Sequence, residues 1–174
     1  MHSVDKANVL ESSRLWREVV HRLHQAEFAD VELVDQLVDN TAMQLIREPA
    51  QFDVVVTENM FGDILSDQAA GLVGGLGFAP GVNIGKDVAM FEAVHGSAPD
   101  IAGRDIANPT ALLLAGVLML EHLGLRETAE RIRKAIKSVI SEKRTVTRDL
   151  GGTATTTEYA DAVIERIEAG VETV

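Results

Sequence analysis

The chain has 174 residues, of which 46% are hydrophobic and 25% are charged, a composition typical of globular proteins. Its 27 acidic residues outnumber 16 basic ones, and the resulting net charge of −11 argues against a nucleic-acid partner. The sequence has no cysteine, which excludes disulfides and thiol chemistry and favours a cytoplasmic location. The longest apolar run, 111–120, is shorter than the roughly 20 residues that span a membrane.

The first seventy residues alternate between helical and extended patterns. Strands that follow one another along the chain with helices between them favour an α/β layer. The predicted helices span 10–26, 38–47 and 60–72, the predicted strands span 31–35 and 52–56, and no element is predicted before residue 10. The first helix carries an apolar stripe formed by Leu15, Val19, Val20 and Leu23. The second helix is expected to turn Ala42, Leu45 and Ile46 inward.

A glycine-rich connector, residues 71–85, separates the first half of the chain from the second. Such a connector predicts a boundary between two domains, 1–73 and 74–174. Beyond it, a strand is predicted at 88–94 and helices at 109–123, 126–143 and 157–169. The helix at 109–123 is apolar nearly all round, which predicts burial, and Asn108 is its expected N-cap.

The helix at 60–72 follows an apolar run and bears acidic side chains on one side. Asn59, Asp63 and Asp67 are spaced at i, i+4 and i+8, so they share a face. Two neighbouring carboxylates repel each other unless a cation lies between them, and Mg²⁺ and Mn²⁺ favour oxygen ligands. The spacing alone fits a divalent-cation site or a solvated acidic face.

Four stretches of the sequence match the motifs of a known enzyme family in their residues, order and spacing. They are 3–8, 59–67, 95–103 and 106–110. They read Ser-Val-Asp-Lys-Ala-Asn, Asn-Met-Phe-Gly-Asp-Ile-Leu-Ser-Asp, His-Gly-Ser-Ala-Pro-Asp-Ile-Ala-Gly and Ile-Ala-Asn-Pro-Thr. Together they resemble the C-terminal half of the decarboxylating dehydrogenases that act on isocitrate, 3-isopropylmalate and homoisocitrate. The resemblance implies part of an isopropylmalate dehydrogenase-like three-layer α/β fold. The small, dimerising domain would span 1–73, and the C-terminal part of the large, cofactor-binding domain would span 74–174.

This resemblance also implies a reaction and its residues. Family members oxidise a 2-hydroxy acid with a nicotinamide cofactor and release a neighbouring carboxylate as CO₂, aided by Mg²⁺ or Mn²⁺. The matching catalytic residue is Lys6, the matching substrate residue is Asn8, and the matching metal ligands are Asp39, Asp63 and Asp67. Lys6 and Asp39 are expected to serve the other subunit of a homodimer. Read alone, Lys6 is a surface lysine and Asp39 an ordinary helix residue.

Six further positions match the family's cofactor site: Glu92, His95, Gly96, Asp100, Ile101 and Asn108. Read alone, His95 is a loop histidine and Glu92 a surface residue. The pair Asp100 and Ile101 implies NAD, because family members that use NADP tend to carry lysine and tyrosine there. A carboxylate near the adenosine ribose accepts bonds from its hydroxyls and repels a 2′-phosphate.

Different segments of the chain resemble family members that act on different substrates. The segment around Lys6 is more like isopropylmalate dehydrogenase, an enzyme of leucine biosynthesis, while 74–80, 91–95 and 107–114 are more like isocitrate dehydrogenase of the tricarboxylic acid cycle. Isocitrate is the first candidate, with 3-isopropylmalate and homoisocitrate as alternatives. The family's substrate-binding arginines and catalytic tyrosine have no match here, so the chain alone is expected to be inactive. It would need a complementing N-terminal half, or it is a non-catalytic dimerisation module.

Overall fold

The computed structural model describes residues 1–170 of the chain. It divides into two compact units, the first spanning Met1–Val73 and the second beginning at Gly74. No helix among the described residues is both long and apolar enough to cross a membrane.

The first unit is a three-stranded parallel sheet with three helices. Its strands are β1 (His2–Asp5), β2 (Val34–Leu37) and β3 (Val55–Thr57), in the order β2-β1-β3. Its helices are α1 (Glu11–Glu27), α2 (Val38–Arg47) and α3 (Asn59–Leu72), and a 3₁₀ turn spans Pro49–Gln51. The central strand, β1, pairs with both neighbours and buries Ser3, Val4 and Asp5.

Two strand expectations in this unit are corrected. β1 was not predicted. Only one of its three buried residues is apolar, so a four-residue strand with buried Ser3 and Asp5 does not show the apolar pattern by which strands are recognised. The strand predicted at 31–35 lies at Val34–Leu37, where the register His2↔Val34 to Asp5↔Leu37 fixes it. The helix at 38–47 is confirmed at both ends.

The apolar stripes of the first unit are largely uncovered. Leu15 and Leu23 of α1 are exposed, and Ile46 of α2, which was predicted to face inward, is 62% exposed. A helical stripe indicates that an apolar partner exists, but its period does not say whether the same unit supplies that partner. Contiguous exposed apolar patches of this kind are typical of interaction surfaces.

The second unit combines a hairpin with a helical layer. The hairpin strands are β4 (Pro80–Ile84) and β5 (Ala89–Ala93), and the helices are α4 (Thr110–His122), α5 (Arg126–Glu142) and α6 (Thr156–Ala169). Short 3₁₀ turns span Leu76–Phe78, Pro99–Ile101 and Arg148–Leu150. β4 was not predicted, because its first two residues, Pro80 and Gly81, suggest a turn, although proline is tolerated at the first position of a strand.

The core of the second unit lies among α4, α5 and α6. Val117, Ile136, Val139, Tyr159 and Val163 are buried there. The prediction that α4 is buried all round is only partly right. Its Ala111, Ala115 and Val117 are buried, whereas Leu112 and Met119 are exposed because α5 and the hairpin cover only part of the helix.

A polar chain runs through this core to the start of α4. The Thr110 hydroxyl lies 2.6 Å from Asn108 Oδ1 and 2.8 Å from the Tyr159 hydroxyl. Amide oxygens only accept and a hydroxyl carries one proton, so Thr110 donates to Asn108 and Tyr159 donates to Thr110. Asn108 Oδ1 also accepts from the N–H of Thr110, 3.0 Å away, so its side chain binds the first residue of α4. The N-cap itself is Pro109 and not the predicted Asn108, because the helix begins one residue later than expected, at Thr110.

Gly152 is required by a close backbone approach. A Cβ at this position would lie 2.0 Å from the Val146 carbonyl oxygen. We expect Gly152→Ala to lower the free energy of unfolding by about 1–3 kcal/mol or more, because two backbone segments must separate. The measurement is urea unfolding followed by circular dichroism. Gly116→Ala in α4, where a Cβ meets nothing within 4 Å, is the control and should be neutral or stabilising. Equal stability of the two variants would contradict this role.

Tyr159 gives stability a dependence on alkaline pH. Burial raises the pKa of its phenol, and the negative charge of Asp149 adds to the rise. The unfolded phenol therefore ionises first, so the contribution of Tyr159 is complete below about pH 10 and is lost as pH rises through the folded pKa.

Tyr159→Phe should cost about 0.5–1.5 kcal/mol at neutral pH, because one buried hydrogen bond is lost. It should also flatten the fall in stability between about pH 9 and 11 relative to the unmodified chain. Tyr159 is the single tyrosine of the sequence, so its phenolate absorbance reports this one group. An ordinary phenol titration in the folded chain, or parallel stability curves for the two proteins, would refute the prediction.

Candidate active site

Lys6 and Asp39 meet because of strand pairing. β1 and β2 run parallel with Asp5 opposite Leu37, so the residues that follow each strand leave the sheet at the same edge. Lys6 comes directly after β1, and Asp39 lies in the first turn of α2. Lys6 Nζ lies 2.5 Å from Asp39 Oδ1. The hydrogen bond from Lys6 lowers the pKa of the Asp39 carboxyl below its usual value.

The loop after β1 carries two of the predicted residues, Lys6 and Asn8, and Asp39 of α2 lies against it. The Lys6 side chain is 26% exposed and the Asp39 side chain 64% exposed, so the ion pair faces solvent. Asn8 is exposed two residues further along the same turn. Both groups that were predicted to serve a partner subunit thus lie together at one accessible edge.

Asp63 and Asp67 lie on the exposed side of α3. This helix follows β3, the strand on the other side of β1, and its Phe61, Leu65 and Ala70 are buried. Both carboxylates are exposed. Two hard oxygen donors one helical turn apart suit Mg²⁺ or Mn²⁺, which also need further oxygen ligands. Across residues 1–170, no three His, Asp or Glu side chains gather closely enough to hold a metal ion.

The second unit contains an open cavity of about 900 Å³. The segment between β5 and α4, the 3₁₀ turns at 76–78 and 148–150 and the start of α6 form its wall. His95, Gly96, Ile101 and Asn108, four of the six predicted cofactor residues, line it. Its volume falls within the range of small-molecule and cofactor pockets.

The other two predicted cofactor residues do not line this cavity. The Glu92 carboxylate accepts a hydrogen bond from Asn83 Nδ2 across the hairpin, at 2.9 Å. Asp100 is exposed in the 3₁₀ turn beside the cavity-lining Ile101.

The Asn108 side chain is already engaged. Its Nδ2 donates to Asp149 Oδ2 at 2.8 Å, and its Oδ1 accepts both bonds from Thr110. Only one amide N–H is left for a ligand. Asn108 is thus held rigidly between α4 and the 3₁₀ turn, and its side chain braces the cavity wall.

Sequence reasoning missed several cavity residues, among them Asp105, Arg148, Asp149 and Thr156. Asp105 fastens the cavity loop to α6, because its carboxylate accepts from the N–H and hydroxyl of Thr157, at 3.1 and 3.0 Å. The one local signal was the capping box of Thr155 and Glu158, which marks the start of α6. Nothing local to Asp105 indicates this contact, which joins residues 52 positions apart.

Comparison with known proteins places these features in a family. The family model for isocitrate/isopropylmalate dehydrogenase matches residues 1–163. The isocitrate/homoisocitrate dehydrogenase of Thermus thermophilus is 51% identical over 170 residues, which cover 97% of this chain and 50% of that protein. The 3-isopropylmalate dehydrogenase of Methanothermobacter thermautotrophicus is 48% identical, over 95% of this chain and 50% of that protein.

Solved structures agree with the sequence matches. The crystal structure of isocitrate dehydrogenase from Methylococcus capsulatus matches with a TM-score of 0.90 at 50% identity, over 95% of this chain and 50% of that one. The α/β fold expected from the motifs is therefore confirmed. The chain spans about half the length of these relatives. It belongs to the isocitrate/isopropylmalate dehydrogenase family.

Proposed function

We propose that this chain forms the C-terminal half of an NAD- and metal-dependent decarboxylating dehydrogenase. Its substrate would be a 2-hydroxy acid of the malate type, with isocitrate as first candidate and 3-isopropylmalate and homoisocitrate as alternatives. The observation that carries the proposal is the pairing of Lys6 with Asp39 at one edge of the sheet. The relatives' names span all three substrates and so leave the choice open.

The chemistry assigns a proton role to Lys6. Hydride leaves the substrate carbon for NAD only as the hydroxyl proton is removed, and Lys6 Nζ is the group that would hold this proton. Breaking the neighbouring carbon–carbon bond then releases CO₂, and the carbon takes up a proton. A bound Mg²⁺ or Mn²⁺ would supply Lewis-acid stabilisation of the charge developing on the keto oxygen. Asn8, exposed beside Lys6, is assigned to the substrate.

Asp63 and Asp67 would hold the cation, with Asp39 supplied by a second copy of the chain. This division is supported by the position of Asp39, which is paired with Lys6 rather than clustered with other possible ligands. Exposed apolar residues on α1, α2 and α3, including Leu15, Ile46 and Ile64, support a homodimer through the first unit. The domain roles, with dimerisation in 1–73 and cofactor binding in 74–174, belong to the same proposal.

The cavity in the second unit is assigned to NAD. His95, Gly96, Ile101 and Asn108 would bind the cofactor, and Asp100 would accept bonds from its ribose hydroxyls. The role of Glu92 rests on the resemblance alone. A cytoplasmic location stays a prediction from composition.

A non-catalytic dimerisation module is the second candidate. The uncovered apolar stripes of α1, α2 and α3 favour it, because association through them needs no catalytic residue. Such a module would dimerise but would not restore activity to an N-terminal half.

Complementation tests the enzyme against the module. The purified chain alone should produce no NADH from isocitrate, whereas mixing it with the N-terminal half of the Thermus thermophilus relative should yield isocitrate-dependent NADH. Lys6→Met should lower that rate by about 10²–10⁴-fold, because the proton carrier is lost. Lys137→Met, at an exposed position of α5, is the matched control and should not change it.

Turnover by the chain alone, or full activity with Lys6→Met, would contradict the assignment. Stable dimers without rescued activity would favour the module.

Cofactor choice tests the role of Asp100. In the complemented enzyme, Asp100→Lys should raise the ratio of NADP to NAD activity by about tenfold or more, because a repelling carboxylate becomes an attracting ammonium group for the 2′-phosphate. Asp87→Lys makes the same charge change at an exposed position before β5 and should leave the ratio unchanged. Equal use of both cofactors by the unmodified protein, or equal ratios in the two variants, would overturn the role.

A further inference from the structure

A buried carboxylate, paired with a partly exposed arginine, lies directly behind the Lys6 loop. Asp5, the last residue of β1, is fully buried. Arg17 of α1 approaches it with two parallel bonds, Nε to Oδ2 and Nη2 to Oδ1, both 2.8 Å long. Such a two-pronged contact fixes direction as well as distance, since the guanidinium fork is planar and rigid.

The same carboxylate reaches forward into the loop. Asp5 Oδ1 also accepts from the backbone N–H of Ala7, at 2.8 Å. That N–H belongs to the peptide that joins Lys6 to Ala7. The orientation of Arg17 is therefore passed through Asp5 to the peptide that carries Lys6.

A second arginine holds the next peptide. Arg14 Nε donates to the Ala7 carbonyl oxygen at 2.9 Å, and this oxygen belongs to the peptide that joins Ala7 to Asn8. The Lys6 carbonyl in turn accepts from the N–H groups of Val9 and Leu10, at 3.0 and 2.9 Å. One face of α1 thus restrains the peptides on both sides of Ala7.

We propose that Arg17, acting through Asp5, and Arg14, acting through the Ala7 carbonyl, are positioning residues that aim Lys6 and Asn8 at the substrate. This inference rests on the proposed function for its catalytic consequence. Its geometric part, the restraint of the loop, stands on the contacts alone. Asp35 and His21 extend the network behind Arg17. Arg17 Nε lies 4.0 Å from Asp35 Oδ2, and His21 Nε2 lies 2.7 Å from the same oxygen.

The alternative is a purely structural role, in which the Asp5–Arg17 ion pair only fastens α1 to the sheet. A buried carboxylate needs its partner for stability alone, so a loss of stability would not separate the two ideas. Two measurements distinguish a positioning role from a purely structural one: the order of the Lys6 loop, and whether kcat falls while KM is unchanged. If the ion pair only fastens α1 to the sheet, its loss changes neither loop order nor kcat in an enzyme that still folds.

The test uses Arg17→Lys, which keeps the charge and removes the fork, and Arg14→Lys, at a half-exposed position with no buried partner. Arg22→Lys, on an exposed position of the same helix, is the matched control. The first readouts are amide hydrogen exchange of Ala7 by NMR and the acylation rate of Lys6 by acetic anhydride, mapped by peptide mass spectrometry on the 174-residue chain. Both rates should rise in the Arg17 and Arg14 variants and not in the control.

The second readout is the complemented enzyme. Arg17→Lys should lower kcat by about tenfold or more with little change in the KM of the hydroxy acid, because Lys6 is misplaced while binding is kept. Unchanged Ala7 exchange and Lys6 acylation overturn the proposal, whatever the activity. A loosened loop with unchanged kcat in an active enzyme also overturns it.

If the proposed dehydrogenase function is wrong, the experiments give a different result from the one that overturns the positioning role. If the unmodified complemented enzyme is inactive while Arg17→Lys still loosens the loop, the restraint by Arg17 is supported and the dehydrogenase assignment fails. If Arg17→Lys does not fold, Arg14→Lys decides by the same readouts.

Discussion

Parallel pairing of β1 with both of its neighbours is the constraint on which the first unit depends. The strand is four residues long and central, so the ends of β1, β2 and β3 share one edge of the sheet. Lys6 follows β1, α2 with Asp39 follows β2, and α3 with Asp63 and Asp67 follows β3. The Lys6–Asp39 contact between residues 33 positions apart is a direct consequence of this register. A shift of one residue in β2 would reverse which face each side chain of the strand takes.

Helix α1 connects the loop after β1 to the start of α3. Its Arg17 binds the buried Asp5, and the buried hydroxyl of Ser13 donates to the Glu58 carboxylate at 3.0 Å. Glu58 directly precedes α3, so one helix is bonded to both segments that carry predicted site residues. Meanwhile the apolar residues Leu15 and Leu23 of α1 stay exposed. Polar contacts therefore fix α1 to the unit, while its apolar stripe remains available to a partner.

The sequence predicted the helices better than it predicted the strands and the long-range contacts. The helix at 38–47 was predicted to the residue, because its periodicity is strong and Pro49 marks its end. β1 escaped prediction since its buried Ser3 and Asp5 are satisfied by tertiary partners, Trp16 and Arg17, that no local pattern shows. Ile46 was wrongly expected inside, because periodicity reveals an apolar face but not its partner. The family motifs identified four of the cavity residues, but the long-range contacts of Asp105 and Asn108 depend on folding.

We propose that two copies of the chain complete one site, with Asp63 and Asp67 of one copy facing Lys6 and Asp39 of the other. Anomalous scattering from Mn²⁺ soaked into crystals of the dimer would locate the cation and its ligands. We expect a peak between the Asp63 and Asp67 carboxylates of one copy, within ligand distance of Asp39 from the second copy. A dimer with no peak there, or a peak whose ligands exclude Asp39 of the second copy, would contradict it.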